Sequence, residues 1–253
     1  MKSILDIMPR PDKEDGVVWT PREVVEKVVS ILPNEVWNHE TKFLDPVCKS
    51  GVFLEVVLDK LMQLDYYKEK YPDIYERRIE IVNRQLFGIC ENVLTKAIVE
   101  RTLYCEVVDS DNIVYLENYR KRMIKEEWAD IIKKEFGENM KFDVVIGNPP
   151  YQDDSGRSSI YNKFVSKSIM LADTVSMITR DNWMNGKAFK DMRDKMLERG
   201  CINKIVHFPK VGEVFEDLKV SVAYFLWTKG DKGKTEYRCI KDKKECLKQE
   251  PKY

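Results

Sequence analysis

Short apolar runs alternate along this chain with longer stretches whose apolar residues recur at helical spacing, a pattern that predicts a doubly wound α/β sheet. The clearest strand is residues 142–147, FDVVIG. Six more are expected at 42–45, 85–89, 104–108, 174–179, 202–208 and 220–227. Helical patterns fall between nearly all of them, at 52–64, 93–102, 119–136, 161–171 and 187–199. Ahead of the first strand, Val24, Val25, Val28, Val29, Ile31 and Leu32 form one helical face. Thr20-Pro21-Arg22-Glu23 in front of it reads as a capping box, with a hydroxyl at the N-cap, proline at the first helical position and a glutamate after it. Only a loop separates the last two strands, which predicts an antiparallel pair at one edge. Residues 65–84, polar and tyrosine-rich, read as an insertion. Residues 229–253 are dominated by Lys, Asp, Glu and Gly. The expected organisation is one domain over 1–228, followed by a charged tail or linker over 229–253.

Composition narrows the class. A chain of 253 residues with 43% hydrophobic content is long and apolar enough for one large globular core. Lysine plus arginine number 43, as do aspartate plus glutamate, so no electrostatic footprint for autonomous DNA binding stands out. No apolar run is long enough to span a bilayer, and the first residues lack the apolar stretch of a secretory signal, so a cytoplasmic location is expected. The six cysteines form no CxxC pair and there are two histidines. Neither a zinc site nor a disulfide framework is expected, and no metal. His39 and His207 show no partner pattern. The charged stretch 120–134 reads as a solvated helix face.

Two segments carry chemistry. Asn148-Pro149-Pro150-Tyr151 directly follows the strand FDVVIG. Two prolines fix the backbone and remove donors, so the local carbonyls face outward as acceptors. Asparagine adds a side-chain acceptor in the crevice where doubly wound folds bind ligands, and tyrosine adds a flat stacking face. Together they make a seat for a planar ring bearing an amino group. Such a nitrogen is a poor nucleophile while its lone pair is delocalised. Two acceptors on its protons let it pyramidalise towards an incoming methyl group. The second segment, residues 45–53 (DPVCKSGVF), follows a strand and opens a helix. A tight turn there lets backbone amides approach an anionic or zwitterionic ligand.

The succession WTP, DPVCKSGVF, LFGICEN and GNPPYQ resembles the gamma-group amino-methyltransferases of restriction–modification systems, which methylate adenine at its exocyclic nitrogen. The likeness runs from about Trp19 to Lys229 and is similar to the methylase domain of large single-chain restriction–modification enzymes. It implies a Rossmann-like S-adenosylmethionine-dependent methyltransferase fold, a seven-stranded mixed sheet with helices on both faces. By that resemblance, Asn148 and Pro149 hold the target amine, with Pro150 beside them, and Tyr151 stacks on an adenine flipped out of DNA. Phe215, in the segment GEVF, is the candidate for the opposite face of the base. Thr20, Asp45 and Phe164 line the cofactor pocket, with Pro46, Cys48 and Gly51 in the turn and Asp45 near the cofactor's ammonium group. The chain departs from the family in two places. Lys49 stands where the turn usually has its first glycine, and requires strain there if φ is positive. At the end of the second strand Cys90 occupies the place of the acidic residue that holds the ribose. Either the strand ends early and Glu91 reaches the ribose, or the cofactor is held less tightly. Asp109 or Asp111 contacts the cofactor's adenine. The loop 152–159 is a lid with Arg157 on a phosphate, or an ordinary surface loop.

The family usually adds a target-recognition domain after the catalytic one. A truncated chain, or a module working with a separate recognition partner, is the expectation. Two other functions stay open: methylation of a protein glutamine or of RNA, and a scaffold of weak activity that binds DNA or a restriction subunit. A nuclease within this chain is not expected.

Overall fold

The structure is a computed structural model that describes residues 20–153, 156–210, 220–241 and 244–246. Nine strands form one mixed sheet in the order β3-β2-β1-β4-β5-β7-β6-β8-β9. They are β1 (Phe43–Asp45), β2 (Leu86–Cys90), β3 (Ile113–Tyr115), β4 (Val144–Gly147), β5 (Thr174–Arg180), β6 (Gly200–Phe208), β7 (Val222–Lys229), β8 (Glu236–Lys241) and β9 (Lys244–Cys246). The first five are parallel to one another, and β7 lies antiparallel between β5 and β6. Strand residues alternate between two cores. Phe43, Val144 and Ile146 face one, while Leu44 and Val145 face the other. Burial on both faces explains why these strands read as unbroken apolar runs.

One core is covered by α1 (Arg22–Ser30), α2 (Val52–Leu61), α3 (Asp65–Lys70), α4 (Ile74–Gln85) and α5 (Val93–Tyr104). The other is covered by α6 (Tyr119–Lys125), α7 (Trp128–Phe136), α8 (Tyr161–Leu171) and α9 (Lys190–Arg199). The order reverses at β1, which lies between β2 and β4. Chain crossing to opposite faces on either side opens a crevice beyond the carboxyl ends of β1 and β4. Asp45 ends the first of those strands and Asn148 follows the second.

The structure corrects several expectations. Residues 104–108 form no strand: Tyr104 ends α5, and Cys105 closes that helix in the left-handed region at φ 66°. Val107 and Val108 are exposed, and the third strand lies at Ile113–Tyr115, where Ile113 pairs with Gly88. The supposed insertion is helical and buttresses the fold. The Gln85 side-chain amide at the end of α4 donates to the backbone carbonyls of Asn38 and Thr41 at 2.9 and 2.6 Å, and Tyr67 of α3 donates to Gln85 Oε1. The pattern at 119–136 breaks into α6 and α7, where Trp128 turns inward and donates to the Met123 carbonyl at 2.9 Å. Part of the supposed tail is sheet: β8 runs parallel to β6 and β9 antiparallel to β8, so nine strands replace the expected seven and the β6–β7 pair is internal.

The capping box is also absent. Pro21 is the N-cap residue of α1, and no side chain caps it. The Thr20 hydroxyl serves the crevice instead.

Candidate active site

The turn after β1 is shaped by its own short-range bonds. The buried Asp45 carboxylate accepts from the Val47 amide at 2.9 Å, and the Cys48 amide donates to Ile89 at 2.9 Å. Thr102 donates to the Ser50 carbonyl at 3.1 Å. Gly51 alone in this turn takes a positive φ, 80°, while Lys49 keeps an ordinary one, so lysine there requires no backbone strain. A Cβ at Gly147 would come within 2.8 Å of Asp45 Oδ1, so the bare backbone at the end of β4 makes room for that carboxylate. Burial raises the Asp45 carboxyl from 3.8 to about 7.

Asn148 sits opposite, 5% exposed. Its Nδ2 donates to Thr20 Oγ1 at 3.1 Å, which fixes the amide. Its Oδ1 is buried and has no hydrogen-bond partner among the described residues. Among the same residues no backbone amide donates to the carbonyl of the buried Pro149; Pro150 is half-buried. Tyr151 is half-buried with its hydroxyl enclosed and without a partner among the described residues. Its ring meets that of Tyr161 edge-on at 6.3 Å. Burial pushes the Tyr151 hydroxyl upward, and the Arg180 cation acts against that. Thr20, Asp45, Val47, Lys49, Gly51 and Asn148 line one cavity, together with Ser50 and Phe53. The two segments singled out in the sequence therefore converge.

Other candidates lie elsewhere. Cys90 ends β2 turned into the core beside Cys48, and both are buried. Glu91 is the exposed residue beyond the strand, 3.2 Å from Arg120, so the strand does end before it. Pro46 is buried, and its carbonyl accepts from Tyr119 at 2.5 Å. Asp109 is exposed at φ 49° and pairs with Lys96 at 2.6 Å. Asp111 is exposed as well. Phe164 is fully buried in the second core, edge-on to Trp128 at 5.6 Å, away from the cavity. Phe215 and the GEVF segment lie outside the described residues. In the loop 152–159, Gln152 pairs with Ser159, and the amides of Arg157 and Ser158 donate to the Asp153 carboxylate at 3.1 and 3.3 Å.

Sequence reasoning passed over Ser50 and Phe53, which flank Gly51 in the same motif, and gave no function to Lys49. It also missed the partners of both histidines. His39 stacks on Tyr66 at 3.9 Å, and His207 lies between Tyr237 at 2.7 Å and Asp181 at 2.9 Å. Among the described residues no three His, Cys, Asp or Glu side chains are placed to hold a metal ion, and no helix is long and apolar enough to cross a membrane.

Comparison with known proteins adds a family. A family model described as the Eco57I restriction-modification methylase matches residues 73–215. A curated relative, an uncharacterized adenine-specific methylase of Mycoplasma pneumoniae, is 28% identical over 86% of this chain and 68% of its own length. Among solved structures, a modification subunit of a putative type I restriction enzyme from Vibrio vulnificus matches with a TM-score of 0.64 at 16% identity. It covers 94% of this chain and 50% of that one. The DrdV–DNA complex matches with a TM-score of 0.66 at 13% identity, over 89% of this chain and 28% of that one. At such identities these structures share the fold, and this chain spans half their length or less.

Proposed function

Since the chain belongs to the Eco57I restriction-modification methylase family, we propose that it transfers a methyl group from S-adenosylmethionine to the exocyclic amino group of an adenine flipped out of DNA. The observation that carries this reading is Asn148. A buried amide oxygen with no partner is costly by about 1–3 kcal/mol, and this one is held open by the bond from Nδ2 to Thr20. Its position fits an amino group brought by a ligand.

The donor set also fits the cofactor. Asp45 offers a carboxylate to an ammonium group, and the turn through Gly51 offers backbone close to the ligand. Thr20, Ser50 and Phe53 complete the wall, and the ribose is assigned to Glu91, exposed just beyond the end of β2. When bound, S-adenosylmethionine supplies an electrophilic methyl group on a sulfonium. Asn148 Oδ1 and the Pro149 carbonyl accept the two amino protons and direct the nitrogen lone pair outward. Their fixed dipoles also stabilise the positive charge that develops on nitrogen as the new bond forms. Tyr151 keeps a neutral hydroxyl and offers its ring to the base. Phe215 is assigned the other side of the base.

We also assign sequence recognition to a further domain or subunit. The balanced charge of this chain supports that, because phosphate contacts demand excess cation.

Incubation with methyl-labelled S-adenosylmethionine and, in separate tubes, duplex DNA, RNA or cell protein tests the reading. Label is expected in DNA and absent with Asn148→Ala, while cofactor binding persists. Label in RNA or in glutamine of protein would overturn the DNA assignment.

A further inference from the structure

Lys49 is the most unusual side chain in the crevice. It lines the same cavity as Thr20, Asp45, Ser50 and Asn148. Its ammonium makes no hydrogen bond and no ion pair among the described residues. The carboxylates of Asp45 and Glu91 and the cation of Arg120 reach it only through space. Those carboxylates are occupied: Asp45 Oδ1 accepts from the Val47 amide and Glu91 pairs with Arg120. Lys49 is half-buried, and desolvation lowers its ammonium to about 8, as expected for a cation drawn partly out of water without a contacting counter-ion.

The backbone does not ask for lysine, since Lys49 has an ordinary φ and Gly51 carries the left-handed turn. A long side chain that leaves a cation unpaired in a crevice fits an anion delivered by the ligand. Asp45, four residues earlier on the same turn, is the converse: a buried carboxyl raised by desolvation and suited to a cation. Opposite charges on one turn match the two ends of an amino-acid zwitterion.

We propose that Lys49 receives the α-carboxylate at the amino-acid end of the cofactor while Asp45 receives its α-ammonium, so that Lys49 sets a preference for the zwitterionic nucleoside over its decarboxylated form. The proposal rests on the methyltransferase reading and extends it to a residue that the family motif leaves without a side chain.

Calorimetry on the full chain tests it with two ligands that differ only in the carboxylate, S-adenosylmethionine and decarboxylated S-adenosylmethionine. A charge-assisted bond predicts that the wild-type chain holds the first roughly ten- to a hundredfold more tightly. In Lys49→Met the gap shrinks to about threefold or less, with little change for the decarboxylated ligand, whereas Lys49→Arg retains most of it. A second neutral variant, Lys49→Gln, covers the case in which Lys49→Met does not fold. A wild-type chain that does not discriminate, or neutral variants that weaken both ligands equally, would overturn the role of Lys49. A wild-type chain that binds both with the gap unchanged in Lys49→Met would overturn Lys49 alone. Binding of neither ligand would overturn the methyltransferase reading with it.

Discussion

Beyond the ends of β1 and β4, Asn148 Oδ1 and the Tyr151 hydroxyl are enclosed without partners among the described residues, and the half-buried Lys49 makes no side-chain hydrogen bond or ion pair among them. Between β5, β6 and β8 the opposite holds. His207 Nδ1 meets the Tyr237 hydroxyl at 2.7 Å and its Nε2 meets the Asp181 carboxylate at 2.9 Å. Both places bury polar atoms within one sheet, yet one satisfies them and the other does not. Open polar atoms lower stability and satisfied ones contribute to it. The contrast separates a site built for a ligand from a clamp that holds β8 onto the sheet.

Breaking each side of the contrast should give opposite readouts. The largest effect is expected for Asn148→Ala, with methyl transfer slowed on the order of 10²–10³-fold, as for loss of one preorganised acceptor or donor. Thermal melting should show its stability unchanged or slightly raised, because a buried orphan is removed. His207→Ala should do the reverse. Denaturant titration should show a loss of about 1–3 kcal/mol, from the two hydrogen bonds to Tyr237 and Asp181 that are lost. Methyl transfer per folded molecule should stay within about twofold of the wild type, since His207 touches neither segment of the crevice.

Thr20→Val sharpens the comparison inside the site. It removes the acceptor that orients the Asn148 amide, and kcat should fall about five- to tenfold. The smallest effect concerns pH. Asp45 is raised from 3.8 to about 7 in the fold, so its contribution to the stability of the unliganded chain is present below about pH 4 and lost as pH rises through 7. Cofactor affinity should move the other way, rising through the same window as the carboxylate forms. Asp45→Asn should flatten both profiles, measured by melting and by calorimetry from pH 5 to 8.

The same contrast explains what was legible in the sequence. Asn148 to Tyr151 and the turn through Gly51 stood out because a strand and a proline pair constrain the backbone locally and a glycine permits the left-handed turn. Those constraints survive folding, and the two segments do share a crevice. The third strand was misplaced because Val107 and Val108 carry strand propensity, yet a left-handed Cys105 ends α5 beside them and leaves both exposed. β8 was missed because none of its residues is fully buried, so a strand near the sheet edge reads as polar tail. Phe164 shows a third kind of loss. Helical spacing identifies a buried face, but core and pocket demand the same apolar residue, and here the core has it. The partners of His207 come from the turn after β5 and from β8, too far apart along the chain for spacing to signal them. Thr20 was given two tasks: the cap on α1 is absent, while the residue does line the cavity beside Asp45 and Asn148.

Identification of the methylated atom tests the central claim most directly. Duplex DNA treated with labelled S-adenosylmethionine and the wild-type chain, with its recognition partner where one exists, is digested to nucleosides and resolved by mass spectrometry. The account predicts label in N6-methyldeoxyadenosine, and its loss with Asn148→Ala. Label on another base, or on adenine at undiminished yield in the Asn148→Ala variant, would contradict it.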